Sequence, residues 1–342
     1  MATRTYDFAV SGNAQHHAMK EFLWTPEAHT YLEQAMQNHT ISKNSGASCL
    51  FRRIVPMPIA STPSGVAEGV SPNSQAWTPD DYTGTLTRYA EIYEMSRQAY
   101  DLSPWNEAAE GGKQLRIKVD RTRERIRYNA AKAGTSALYN TAAITQRTDV
   151  NGVITLGRIQ RAVAELRANR AEPFTAIDGG STKVGTTPVE ACYLAFCSSD
   201  LEPDLRNIPG FVVTANVSGG AKFKGEFGVV QNVRFITNAD YAPFADGGAT
   251  YVAAANLRST ASSRYDVYPI IILAKGALSA VKLTGASSTG MGNGKVSVLD
   301  GRDKADPTGE RVLLTADWYD LALITGSAYQ RRIEVACTAN PT

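Results

Sequence analysis

Between Cys49 and Ser96 the chain holds two strand-like segments joined by a long polar connection that carries Pro56, Pro58, Pro63, Pro72 and Pro79. Phe51 to Val55 reads as the outgoing strand, and Thr85 to Tyr93, rich in β-branched and aromatic residues, as the returning one. The connection has too little apolar material for a core of its own, and loops beyond about 12 to 15 residues without structure are uncommon inside compact domains. The stretch is therefore disordered, a lid, or an arm that docks on another chain. Trp77 and the tyrosines Tyr89 and Tyr93 favour the arm, because aromatics on a free two-stranded ribbon otherwise invite aggregation.

The rest of the chain is long enough to support such a projection. Its 342 residues, 43% hydrophobic and 20% charged, bury substantial cores in two or three domains. A formal charge of +2 is close to balance, so a nucleic-acid or membrane partner has to be argued from local patches. The longest apolar run, Pro269 to Ala274, is far short of the roughly 20 residues of a membrane span and reads as a buried strand. Met1 to Phe8 lacks the charged and apolar regions of a signal peptide, which places the chain in the cytoplasm where it is made. Cys49, Cys192, Cys197 and Cys337 are scattered without zinc-knuckle spacing, and in a reducing compartment they act as small buried hydrophobes.

Two helices stand out. Ser103-Pro104 supplies an N-cap and a first-turn proline, with Glu107 and Glu110 placed where the helix dipole favours acids. The stripe Leu115, Val119, Thr122, Ile126, Ala130, Ala133, Ala137 then predicts one buried face up to about Tyr139, a spine of roughly 50 Å, with Gly111-Gly112 as a kink or interruption. A second helix follows the Asn151-Gly152 turn, capped by Thr155, with Leu156, Ile159, Val163 and Leu166 on one face and Asn169 and Pro173 at its end. Beyond Pro173 strands dominate: Cys192 to Cys197, Phe211 to Ala215, Val233 to Thr237, Val267 to Leu273, Val312 to Ile324 and Arg331 to Ala336, with a short helix near Asp200 capped by Ser199. This segregation of helix and strand along the chain argues for an α+β fold.

Several patterns imitate chemistry. Gly290 to Lys295 is similar to a phosphate loop, but Val296 stands where a magnesium-binding hydroxyl belongs, so a mobile turn within a flexible Gly285 to Gly294 loop is the better reading. Asp300, Asp303, Asp306 and Glu310 are dense enough for calcium, yet Arg302 and Lys304 intrude and the EF-hand spacing is absent. His16, His17, His29 and His39 have no partner at ligand spacing, no serine sits in a nucleophile elbow, and no histidine follows His39. These readings point to no catalytic site, no metal and no cofactor. The run Lys113 to Ala133 is different: eight basic residues against Asp120 and Glu124 give a local charge of +6. A solvated or intermolecularly paired helix face is one reading; a face bearing Arg116, Arg121, Arg123 and Arg127 toward packaged nucleic acid, through sequence-independent phosphate contacts, is the other.

The order of arm, ribbon, spine helix, second helix, strand-rich domain and returning C-terminal strands resembles the major capsid proteins of tailed bacteriophages, which share the HK97-like fold. Val153 to Ile159, Gly225 to Thr237, and the tail from Asp306-Pro307-Thr308-Gly309-Glu310-Arg311 through Trp318-Tyr319 to Arg331-Arg332-Ile333-Glu334 are most similar to the N4-like branch. The resemblance implies a shell-forming protein without catalysis: residues 1–48 as N-terminal arm, 49–102 as extended β-ribbon loop, 103–173 as spine helix and peripheral domain, 174–273 as axial domain, and 274–342 as strands returning to the peripheral domain. It implies pentamers and hexamers of the same chain, portal contacts, scaffold or decoration proteins, non-specific contact with double-stranded DNA, no membrane, and residence in the virion. Arg52, Arg53, Trp77, Asp80, Asp81, Tyr89 and Tyr93 are the expected inter-subunit contacts, with the two arginines pairing to the two aspartates of a neighbour. An encapsulin-like compartment shares the fold and stays open as the alternative.

Overall fold

The structure, a computed structural model, describes residues 29–55, 57, 65–66, 68–71, 76–102, 107–177, 187–216, 223–284, 293–301 and 306–340. In chain order the elements begin with β1 (Gln37–Ser42), β2 (Ser48–Ile54), β3 (Pro79–Thr85), β4 (Thr87–Ser96), α1 (Arg97–Leu102), α2 (Glu107–Lys132), β5 (Ala137–Tyr139), α3 (Leu156–Ala168) and β6 (Phe174–Ile177). There follow β7 (Thr187–Ser198), α4 (Glu202–Arg206), β8 (Val212–Val213), β9 (Glu226–Val230), β10 (Val233–Asn238), β11 (Tyr268–Leu273), β12 (Leu278–Thr284), β13 (Asn293–Asp300), β14 (Arg311–Ile324) and β15 (Gln330–Val335).

The chain divides into two units. The smaller comprises Met1–His29, Tyr89–Arg121 and Ala286–Trp318. In it β13 and β4 pair with β14, and Leu115 and Val119 of α2 are buried against Met95, Val312, Leu314, Ala316 and Trp318. Gly111 and Gly112 do not interrupt α2. A Cβ on Gly111 would come 3.1 Å from Tyr93 Cε1, so the glycine lets the tyrosine ring lie against the helix. The ring of Tyr89 stacks on Trp318 at 5.8 Å between centroids.

The larger unit comprises Thr30–Arg88, Thr122–Gly285 and Tyr319–Thr342. Its main sheet runs β5-β15-β11-β7-β10-β9-β8, with β6 also paired to β7. All six residues of β11 are buried, because strands lie on both of its edges and apolar residues cover both of its faces. On one face α3 packs Ile159, Ala162, Val163 and Leu166 into the core with Ile270, Ile272, Ile333 and Val335. On the other lie Leu32, Tyr128, Tyr241, Ile271 and Leu273. Parallel pairing of β1 with β12, and antiparallel pairing of β12 with residues 320–324 of β14, adds a second layer.

α3 begins after Thr155 and ends at Asn169 as expected, although Thr155 caps by its extended backbone rather than by its side chain. α2 differs from expectation: it stops at Lys132, and Ala137–Tyr139 leaves it to pair in parallel with β15. Its buried stripe also turns away from Thr122, Ile126, Ala130 and Ala133, running instead through Glu124, Arg127, Tyr128 and Ala131. Tyr128 stacks on Tyr241 at 4.3 Å and defines that face. The strand expected at Phe211 to Ala215 shrinks to Val212–Val213 before a tight turn, and Ser198 rather than Ser199 caps the Asp200 turn. The loop expected across Gly285 to Gly294 gives way to β13 from Asn293; residues 285–292 and Ser103-Pro104 lie outside the described residues. All four cysteines are free and buried.

Candidate assembly interface

The ribbon is built from β2 and β3, in register from Ser48↔Thr85 to Ile54↔Pro79. The returning strand is thus Pro79–Thr85, not Thr85 to Tyr93. Leu86 breaks the run, and β4 leaves to pair with β14. Strand alternation sends Cys49, Phe51 and Arg53 to one face and Leu50, Arg52 and Ile54 to the other. The first face is anchored: Cys49, Leu86 and Val281 are buried together, with Phe51 and Leu321 beside them. A Cβ on Gly84 would fall 2.8 Å from Leu321 Cδ2, so glycine permits this close approach. Arg53 fixes the root by donating from Nη2 to the Gly276 carbonyl at 3.0 Å, with its guanidinium 4.7 Å over the Tyr329 ring.

Among the described residues the opposite face has no such cover. Leu50, Ile54 and Trp77 are 58%, 55% and 59% exposed, and Val55, Met57, Val66 and Val70 are exposed as well. Exposed apolar side chains gathered in one segment call for an explanation, whereas scattered single ones need none.

The structure redirects several of the expected site residues. Arg52 pairs with Asp81 of its own chain, Nε to Oδ1 at 2.7 Å and Nη2 to Oδ2 at 2.8 Å, because the register sets them directly opposite. Asp80 stands opposite Arg53 and stays exposed, since Arg53 is turned to Gly276 and Tyr329. Tyr89 is engaged with Trp318, and Tyr93 is 46% exposed beside Gly111. Of the basic helix residues, Arg116 holds Asp120 at 3.0 Å and Arg121 is exposed, while Arg123 is half-buried. Arg127 cannot face nucleic acid: its side chain is fully buried.

Sequence reading missed what buries Arg127. Its Nε and Nη2 donate to Asp320 at 3.3 and 3.5 Å, and its Nη1 to Glu33 Oε2 at 3.2 Å; Glu33 is also held by Lys282. One turn earlier, Glu124 Oε1 accepts from the backbone N–H groups of Tyr31 and Leu32, both at 3.0 Å, and from Tyr241 Oη at 2.5 Å. Burial pushes the Glu124 carboxyl up despite these donors. Burial also pushes Glu33 up, but the Lys282 hydrogen bond and the Arg127 and Lys282 charges outweigh it and hold Glu33 below the usual carboxylate range. The network fastens the Tyr31–Ala35 turn to α2, and the signal for it was the aromatic Tyr128 four residues after Glu124.

Asp306 accepts from the N–H groups of Gly309 and Arg311 at 3.1 and 2.8 Å and so closes a turn. The His39 ring lies 5.1 Å from Phe51; His16 and His17 fall outside the described residues. Among the described residues no cluster of His, Cys, Asp or Glu is placed to hold a metal ion, and no helix is long and apolar enough to cross a membrane.

An α+β body with a rooted, externally apolar ribbon is the HK97-like architecture of shell-building proteins, and comparison with known proteins agrees. The phage capsid protein family matches residues 81–272, more than half of the chain, and the chain belongs to that family. It is 23% identical over 253 residues to the major capsid protein of Pseudomonas phage KPP21, a span covering 69% of this chain and 62% of the relative's length. Among solved structures, the capsid of Ralstonia phage GP4 superposes with a TM-score of 0.69 at 13% identity over 100% of both chains. The head of Helicobacter pylori bacteriophage KHP40 gives 0.62 at 11% identity, covering 99% of this chain and 98% of the other.

Proposed function

We propose that this chain is a major capsid protein that assembles through pentamers and hexamers into the icosahedral shell around phage double-stranded DNA. The ribbon is the observation that carries the reading: its root is fixed on its own subunit while seven large apolar side chains between Leu50 and Trp77 face outward. Burying them against the next copy stabilises the shell by roughly 25 cal/mol per Å² of apolar surface, repeated around rings of heterologous contacts. Trp77, Tyr93 and Asp80 are the contact residues this supports, with Arg52 presented as a pair with Asp81. Family membership favours a phage shell over an encapsulin-like compartment and a structural role over an enzymatic one.

The virion is then its location, with portal, scaffold or decoration proteins as further partners. Of the four arginines expected to meet phosphate, Arg116, Arg121 and Arg123 remain the candidates, because Arg127 alone is fully buried. The same reading assigns 103–173 to the spine and peripheral domain, 174–273 to the axial domain and 274–342 to strands returning to the periphery. Val153 to Ile159 and Gly225 to Thr237 support the N4-like branch. Deleting Thr62 to Gln75 is expected to leave a folded, soluble subunit that closes no stable shell, read by electron microscopy and sedimentation. Normal particles of unchanged stability from this deletion would refute the arm.

A further inference from the structure

Where α2 ends, three cations gather around one aromatic ring. Lys132 Nζ lies 3.8 Å over Phe244 and donates to the Ala242 and Pro243 carbonyls at 2.9 and 3.0 Å. The Arg147 guanidinium lies 3.4 Å from the same ring, and its Nε and Nη2 donate to the two Glu334 oxygens, each at 2.8 Å. Arg332 approaches Glu334 Oε1 at 2.7 Å through Nε, while its Nη1 donates to the Lys132 and Gly134 carbonyls. Glu334 is fully buried, so one carboxylate serves three cations and two positive charges are left over. Tyr128, 5.9 Å from Lys132, brings no compensating charge, since burial pushes its phenol up, and Glu334 is the one carboxylate that acts on both Lys132 and Arg147 among the described residues, with Asp149 exposed beside Gln146.

We propose that the Lys132, Arg147 and Arg332 cluster around Phe244 receives a carboxylate from a second copy of this chain, an inference that rests on the shell reading. In the single subunit the surplus is unfavourable. Burial first, and then the charges of Arg147 and Arg332, push Lys132 down to about 8 against the partial help of Glu334. Arg147 keeps 33% of its side chain in water and spends only Nε and Nη2 on Glu334, which leaves Nη1 for an incoming acceptor. A single open guanidinium edge suits a carboxylate tip. Duplex DNA instead engages rows of outward cations, and Lys132 and Arg332 are turned inward onto carbonyls.

The test follows acetylation of Lys132 against pH by mass spectrometry in three samples: unassembled subunit, empty particles and DNA-filled particles. The reactivity midpoint is expected near 8 in the subunit and higher by about one unit in both kinds of particle, once an anion has arrived. An unchanged midpoint in particles overturns the proposal, and a rise confined to DNA-filled particles overturns it in favour of phosphate. Lys132→Met provides a second arm. It is expected to leave the subunit at least as stable as wild type while lowering the temperature at which particles dissociate; equal loss in both assigns the cluster to folding alone. Failure of the wild-type chain to form particles would instead refute the shell reading itself.

Discussion

Replacing Arg127 by Met tests the buried network directly. The guanidinium is the only cation bonded to Asp320 among the described residues, and both side chains are almost completely out of water. Glu33 keeps Lys282 when Arg127 is removed, so the loss falls mainly on Asp320. A buried carboxylate stripped of its cation is left uncompensated, which costs roughly 3–5 kcal/mol. Urea unfolding of the unassembled subunit measures the loss. Arg127→Met with Asp320→Leu is expected to recover most of the loss, because an apolar pair needs no counter-charge. A loss below about 1 kcal/mol would show that Asp320 is not held as a buried ion.

Two further outcomes are expected. Glu33, held below the usual carboxylate range, contributes stability that is present above its unfolded value and lost as pH falls through its folded one, while raised Glu124 contributes with the opposite sign. Glu33→Gln is therefore expected to lose less stability than wild type between about pH 6 and pH 3 in urea titrations, and an identical acid profile would contradict this. Between Lys43 and Lys113 there is no lysine, and arginine stays protonated, so the ribbon offers no amine for a covalent weld between copies. Particles boiled in detergent and reductant are expected to release one band near 36.8 kDa, whereas ladders would point to a lysine outside the ribbon, such as Lys20 or Lys43.

Local signals carried much of the fold. Thr155, the Leu156, Ile159, Val163, Leu166 face and Asn169 marked α3 because cap and periodicity act within a few residues. The apolar run Pro269 to Ala274 marked a buried strand, and β11 lies there. The order of these parts was enough to resemble the family.

What the sequence left open depends on partners distant along the chain. The apolar spacing on α2 predicts a stripe through Thr122 and Ile126, yet the buried face runs through Glu124 and Arg127, because Tyr31, Glu33, Tyr241 and Asp320 supply the hydrogen bonds and charges that permit ions in a core. No window around Arg127 contains those groups. Arg52 and Asp81 were expected to meet across subunits, but strand register, set by the return at Pro79, places them opposite one another in the same chain. Periodicity and turn chemistry are local, and so the amino-acid order alone determined α3, the buried strand β11 and the outgoing strand of the ribbon. Register and the pairing of buried charge join residues far apart in sequence, so only the tertiary structure decided which cations are buried and which stay exposed.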